Sequence, residues 1–198
     1  MLHGMPAQAK TTDASVIAAA RRLLEKKGMD GLTLTDVAAA VGLRAPSLYR
    51  RFESREALLH HVELALWSAL GEVLRKAARP ADPIASLTAQ AVAYRRFAKK
   101  NPYGYALLFQ STAPRSQAGL RAREQAFAAS LPAFANLVGE EQLLSAARVL
   151  TPYLHGFVSM ELAGAFRFGG GLDAAFRRGV ATILRGLTAS SPSRRANN

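Results

Sequence analysis

The stretch GLRAPSLYRRF, Gly42–Phe52, decides the fold of this chain. Gly42 permits the positive φ of a tight turn, and Leu43 offers an apolar plug. Pro46 is tolerated only in the first turn of a new helix, where its missing N–H costs nothing. A short helix therefore starts near Ala45. It ends at Phe52-Glu53-Ser54, with Ser54 placed as the N-cap of a longer helix from Arg55. On the short helix Leu48 and Phe52, four apart, turn together into the core. Ser47, Tyr49, Arg50 and Arg51 are left facing outwards. Hydroxyls and guanidiniums presented from such a helix complement phosphate oxygens and guanine edges in a DNA major groove.

Upstream, Asp13 to Lys27 carries an apolar stripe of Val16, Ile17, Ala20, Leu23 and Leu24 opposite Arg21, Arg22, Glu25 and Lys26, followed by Gly28 as a C-cap. This predicts a first helix. In Thr33-Leu34-Thr35-Asp36 the first threonine can cap a second helix, Leu34 to Val41, with Asp36 reaching back as in a capping box. Val37, Ala38 and Val41 are its core face. Two short helices joined by a glycine turn make a helix-turn-helix.

Alanine and leucine dominate the rest, β-branched runs are missing, and apolar residues recur at three and four, so the whole chain reads as all-α. Helix four runs from Arg55 to about Ala78, ended by Arg79-Pro80-Ala81-Asp82-Pro83. Helix five covers Ile84 to Lys100, and a short aromatic helix opens at Asn101-Pro102 and ends near Phe109. Ser111 to Ser116 reads as loop, and Gln117 to Val138 as one further helix. Two long helices close the chain: Glu140 to Phe168, a break at Gly169-Gly170-Gly171, then Leu172 to Leu187. The expected organisation is about nine helices in two domains: an N-terminal three-helix helix-turn-helix domain at 13–56 and a helical ligand-binding and dimerisation domain at 57–188. A disordered arm at 1–12 and a disordered tail at 189–198 flank them.

Composition narrows the function. The 198 residues carry a net charge of +12 and no cysteine, which removes disulfides, thiolate metal sites and cysteine nucleophiles, and fits a reducing compartment, the cytoplasm by default. The charge is a weaker pointer to DNA than it looks, because residues 1–56 hold only +3 of it. The longest uncharged run, Gln125 to Gly139, is fifteen residues and contains Pro132 and Asn136. That is short of the roughly 18 apolar residues a membrane span demands. The four histidines, His3, His60, His61 and His155, make no metal-ligand spacing with a carboxylate, and no nucleophile has a base partner in view. No enzyme activity, metal or cofactor is expected. A basic helical protein binding membranes or acidic partners stays open beside a DNA-binding regulator.

The string GLTLTDVAAAVGLRAPSLYRRFESREALL, Gly31–Leu59, resembles the DNA-binding domain of the TetR family of bacterial transcriptional regulators. It has a threonine opening helix two, a small alanine inside it, a glycine at the turn, a Leu-Tyr pair in helix three, an aromatic at its end and then Ser-Arg-Glu-Ala-Leu. The resemblance implies that Tyr49 and Arg55 contact phosphate and that Thr33 and Thr35 touch the DNA backbone. Arg44, Ala45, Pro46, Ser47, Arg50 and Arg51 then occupy the positions that read bases or neighbouring phosphates. Arg44 and Arg50 read equally as base contacts or as solvated charge. The implied partner is a palindromic double-stranded DNA operator, bound by a repressor that an unidentified small-molecule effector releases.

The segment LTPYLHGFVSMEL, Leu150–Leu162, resembles the C-terminal domain type with a Trp-then-His-Gly signature in its penultimate helix. His155-Gly156 is present, and Thr151 stands where the tryptophan would be. Candidate effector-pocket residues are Trp67, Tyr94, Phe97, Tyr103, Tyr105, Phe109, His155 and Phe157, each of which could equally be core. Arg95, Arg96, Lys99 and Lys100 could attract an acidic ligand or simply form a solvated face. The last two helices carry Leu143, Leu144, Ala147, Leu150, Leu154, Val158 and Leu162, then Phe176, Val180, Ile183, Leu184 and Leu187. So much apolar surface predicts a homodimer through these two helices, as a four-helix bundle.

Overall fold

A computed structural model describes residues 11–110 and 116–189. The expected arm through residue 10, the loop at 111–115 and the tail from 190 lie outside the described residues. Ten α-helices and no strand occur among the described residues. They fall into two compact units that divide within one helix, between Ala65 and Leu66. The start of this helix belongs with the first unit, where the His61 ring meets the Phe52 ring edge-on at 5.4 Å.

The first unit holds α1 (Asp13–Lys27), α2 (Leu34–Ala40), α3 (Ala45–Tyr49) and the opening of α4 (Arg55–Ala77). Thr12 and Ser15 exchange side-chain to backbone hydrogen bonds in a capping box, which fixes the start of helix α1. Thr33 caps α2, its hydroxyl accepting from Asp36 N–H at 3.1 Å and donating to the Asp36 carboxylate at 2.7 Å. Gly42 turns the chain at φ +70°, a region disfavoured for side-chain-bearing residues. Pro46 stands in the first turn of α3, and Ser54 caps α4 by accepting from Ala57 N–H at 3.1 Å. Val16, Leu24, Val37, Leu48 and Phe52 form the core, with Leu48 fully covered. Val41, expected inside, is only half-buried.

The second unit comprises the rest of α4, α5 (Pro83–Lys100), α6 (Pro102–Gln110), α7 (Gln117–Ala128), α8 (Leu131–Val138), α9 (Leu143–Leu162) and α10 (Leu172–Ala189). Helix α5 is its centre, packed against α6, α8, α9 and α10. Asp82 caps α5 by accepting from Ala85 N–H at 2.7 Å, with Pro83 in the first turn. On the opposite wall α4 comes so near α7 that a Cβ at Gly71 would stand 2.9 Å from the Ala126 backbone. No helix among the described residues is long and apolar enough to cross a membrane.

Three expectations are corrected. The single helix at 117–138 is two, because Pro132 opens α8 in its first turn after a bend at Ala129-Ser130. The described residues therefore hold ten helices where about nine were expected for the chain. The penultimate helix ends at Leu162, six residues before Phe168. Gly164, at φ +64°, lets Ala165 N–H return to the Met160 carbonyl at 2.9 Å and closes the helix ahead of the triple glycine. Its start likewise lies at Leu143 instead of Glu140.

Candidate functional sites: the helix-turn-helix face and the sensor cavity

In the first unit the helix-turn-helix places the expected DNA-facing residues unequally. Thr33, Thr35, Arg44, Pro46, Tyr49, Arg50 and Arg51 are exposed, while Ala45, Ser47 and Arg55 are half-buried. Tyr49 keeps 50% of its surface open, unusual for so large a ring in a unit with a sound core of its own. Arg50 donates to Ser47 Oγ at 3.1 Å, which holds its fork on the α3 surface. None of the chain's 14 side-chain carboxylates, all within the described residues, pairs with Arg44 or Arg50. The other two arginines are engaged. Arg51 donates to the Thr11 carbonyl at 2.8 Å and to Asp13 at 3.1 Å, tying the end of α3 to the start of α1. Arg55 donates to the carbonyls of Leu32, at 2.9 Å from Nε, and of Met29. It thus braces the loop that delivers Thr33. Lys27 bonds to Asp36 at 2.8 Å and, with Thr33, holds that carboxyl below its usual range.

The second unit contains an aromatic cluster threaded by hydrogen bonds. Tyr94 and Tyr105 hydroxyls meet at 2.8 Å, and Tyr105 reaches His155 Nδ1 at 2.6 Å. Trp67 packs edge-on against Phe109 and against Phe127, and Tyr105 and Phe109 lie on His155. Burial, with Tyr105 beside it, pushes the Tyr94 phenol far above its ordinary range. Burial and then the Arg123 charge depress the His155 imidazole, favouring its neutral form.

Beside this cluster lies a cavity of about 130 Å³ walled by α4, α5, α7, α8 and α9. Leu74, Tyr94, Phe127, Phe134, Leu150 and Leu154 give it an apolar lining, with Gln90, Arg123, Ser130 and Thr151 as the polar positions. Of the sequence candidates only Tyr94 lines it. Tyr103, Tyr105, Phe109 and His155 border a second, more open cleft of about 440 Å³ between α6 and α9. Trp67 borders a third hollow with Gly71. Phe97 is buried in the core, and Phe157 belongs to a separate cluster with Phe166 and Phe176. Arg123, Phe127 and Thr151 were not among the pocket candidates. A signal existed for one of them. In Gln117–Ala128, Arg123 falls between Leu120 and Phe127 at spacings of three and four, a charge on an apolar stripe.

Two residues of the basic run on α5, Arg95 and Lys99, are paired with acids, while Arg96 and Lys100 are exposed. Arg95, 9% exposed, donates twice to Glu161, at 2.6 and 2.7 Å, and once to Asp173 at 2.6 Å. Its guanidinium also lies over the Phe176 ring, 5.0 Å from the centroid, and Lys99 adds a 2.8 Å bond to Glu161. Arg95 and then Lys99 hold the Glu161 carboxyl down to about 2. No cluster among the described residues is arranged to hold a metal ion.

Comparison with known proteins agrees with both units. The pattern for bacterial regulatory proteins of the tetR family matches residues 16–62, and that for the tetracyclin repressor-like C-terminal domain matches residues 87–183. An uncharacterized HTH-type transcriptional regulator of Mycobacterium tuberculosis is 29% identical over 160 residues, 79% of this chain and 72% of that protein. A protein of unknown function from Rhodococcus sp. RHA1 superposes with a TM-score of 0.81 at 24% identity, over 93% of this chain and all of the other. A TetR variant from Acinetobacter baumannii AYE, solved in complex with minocycline, gives a TM-score of 0.67 at 25% identity, over 92% of this chain and 99% of that one. The helix-turn-helix with its outward arginines, followed by an all-helical unit of matching pattern, makes this chain a member of the TetR family of DNA-binding transcriptional regulators, a family of regulators and not of enzymes.

Proposed function

We propose that this regulator is a repressor, that it binds a palindromic operator as a homodimer, and that a small organic molecule held in the C-terminal unit releases it. The observation that carries this is the co-occurrence of an outward face at Arg44, Tyr49 and Arg50, free of carboxylate partners, with an apolar cavity in the C-terminal unit. Thr35, Arg44, Pro46, Ser47, Tyr49 and Arg50 contact the duplex directly, with Ala45 allowing close approach. Thr33 contributes through the cap it forms. Arg51 and Arg55, each bonded to backbone carbonyls, position the reading head and offer their remaining N–H groups to phosphate.

A helix-turn-helix of this size reads one half-site, so two copies are needed for a palindrome. The surface for pairing is the side of α9 opposite Leu150, Leu154 and Val158. There Val149 and Met160, each 49% exposed, share a stripe with Pro152 and Gly156, and α10 adds exposed Ala175, Thr182 and Gly186. Half of the apolar positions expected to pair with a partner are instead buried in the unit's own core: Leu150, Leu154, Val158, Phe176, Val180 and Leu184. Ile183 is half-buried. Val149→Glu is therefore the substitution that yields a folded monomer by sedimentation at micromolar concentration.

Helix α4 carries both Arg55 and, near its other end, the cavity residue Leu74. A ligand that prefers one position of this helix changes the separation of the paired heads and so weakens their fit to the operator. Selection of binding duplexes from a random pool tests the whole proposal. Inverted repeats with a fixed half-site spacing are expected, and selected sites lacking a repeat would overturn the dimeric mode.

A further inference from the structure

We infer that the cavity among α5, α7, α8 and α9 takes a compact organic anion, one ring or a short branched chain bearing a carboxylate, with the carboxylate received by Arg123. This rests on the C-terminal unit being the effector-binding half. Size comes first. A cavity of about 130 Å³ is close to the roughly 150 Å³ that accommodates benzene in an engineered apolar core, so the occupant is about one ring in bulk. Phe127, Phe134 and Leu150 supply apolar contact for that ring.

Polarity then selects the charged group. Gln90 is already engaged at both ends, its amide nitrogen donating to Ser86 at 3.2 Å and its carbonyl oxygen accepting from Ser130 at 2.6 Å. Tyr94 is bonded to Tyr105. Arg123 differs: no side-chain carboxylate of the chain pairs with it, and its contact among the described residues is the Trp67 ring, 5.9 Å from the guanidinium carbon. A half-buried guanidinium with five donors, beside apolar walls and without a counter-ion, is electrostatically incomplete, and a carboxylate completes it in bidentate geometry. Arg95 shows the finished arrangement in the same unit, with two carboxylates on one fork. Thr151, standing where the resemblance places a tryptophan, lines the same cavity with a small side chain.

The test uses benzoate and hexanoate against their neutral amides, benzamide and hexanamide, on the full chain. Calorimetric titration is the first readout. The second is fluorescence of Trp67, the chain's single tryptophan, on which Arg123 rests. At least tenfold tighter binding of an acid than of its amide is expected, with a change in Trp67 emission. Arg123→Met, which keeps the stem, should reduce that preference to about onefold, and Arg123→Lys should retain part of it. A thermal unfolding midpoint for Arg123→Met within a few degrees of the parent shows that the fold survives. Should it fail to fold, the Arg123→Lys variant and the acid-to-amide ratio of the parent chain still decide the matter. Equal affinity for acid and amide, an unchanged preference in Arg123→Met, or no binding of any of the four compounds would overturn the inference. Arg123-dependent acid binding that leaves DNA affinity unchanged would instead count against ligand-released repression and leave the anion site standing.

Discussion

The two units use arginine in opposite ways. In the first, Arg55 donates to two backbone carbonyls, Arg51 divides its bonds between the Thr11 carbonyl and Asp13, and Arg44 and Arg50 are left without a carboxylate, so positive charge stays on the surface. In the second, Arg95 is buried and saturated by Glu161 and Asp173, so charge is cancelled inside. A carbonyl satisfies the hydrogen bonds of a guanidinium but leaves its net charge for a polyanion, whereas a carboxylate removes both. An arginine's role in this protein therefore follows from what it donates to, more than from how many arginines surround it.

The largest effect expected from breaking this contrast is on stability, at Glu161. Removing Glu161 leaves the buried Arg95 with the exposed Asp173 as its remaining carboxylate partner, towards the low end of the about 3–5 kcal/mol that breaking a buried ion pair costs. Glu161→Gln should lower the Tm of the second unit by roughly 10 °C or more while DNA contacts of the first unit keep their chemistry. The pH dependence has a definite sign. With a folded pKa near 2 against the ordinary 4.5, Glu161 contributes stability that is complete above about pH 4.5 and is lost as pH falls towards 2. Acid titration of the unfolding midpoint should show this loss in the parent and a flatter profile in Glu161→Gln. Paired replacement by Arg95→Met and Glu161→Leu should recover much of the deficit, because no charge is then left buried alone.

Next in size is the difference between two arginines of the reading head. Arg50→Ala should reduce operator affinity about 10- to 100-fold and leave the Tm unchanged, since its bond to Ser47 is exposed and dispensable for folding. Arg55→Met removes two donors from the Met29 and Leu32 carbonyls, so it should lower the Tm of the first unit and weaken DNA binding together. Loss of affinity in Arg55→Met with an unaltered Tm would show that Arg55 serves DNA alone.

The same division explains what was legible in the sequence. The head is specified by short-range chemistry: Thr33 and Asp36 three apart, Gly42 at a positive φ, Pro46 at a helix start, Ser54 as a cap. Each of these acts within four residues, and each was readable. The C-terminal unit is specified by contacts between distant segments. The bend between α7 and α8 was missed because Ser130, the natural cap for a helix opening at Leu131, makes no capping bond and donates instead to Gln90, forty residues away. Nor did any local signal announce that Gly164 would end α9 before the glycine triplet, as small residues on both sides can continue a helix. Most of the aromatic candidates were placed around a hydrogen-bonded cluster and an open cleft, while the apolar cavity lies with Arg123, visible beforehand only as a charge in phase with an apolar stripe.

The smallest effect sharpens the contrast most, because it removes a single oxygen. Tyr49 is half exposed, and its ring is not needed to close the core that Leu48 and Phe52 already seal. If its hydroxyl donates to a phosphate, Tyr49→Phe forfeits one hydrogen bond to a charged acceptor, about 1.5 kcal/mol or a roughly tenfold loss at most. That loss should be uniform across operator variants, since a phosphate carries no sequence information, whereas Arg50→Ala should weaken the preferred sequence more than altered ones. The hydroxyl neutralises no phosphate charge, so the salt dependence of binding should keep its slope in Tyr49→Phe and become shallower when an arginine is removed. Competition binding at two salt concentrations, against the selected operator and two mismatched duplexes, separates the outcomes. A Tyr49→Phe protein with undiminished affinity would assign Tyr49 to ring packing against the sugar–phosphate backbone and leave the head's polar contacts to Thr35, Arg44, Ser47 and Arg50.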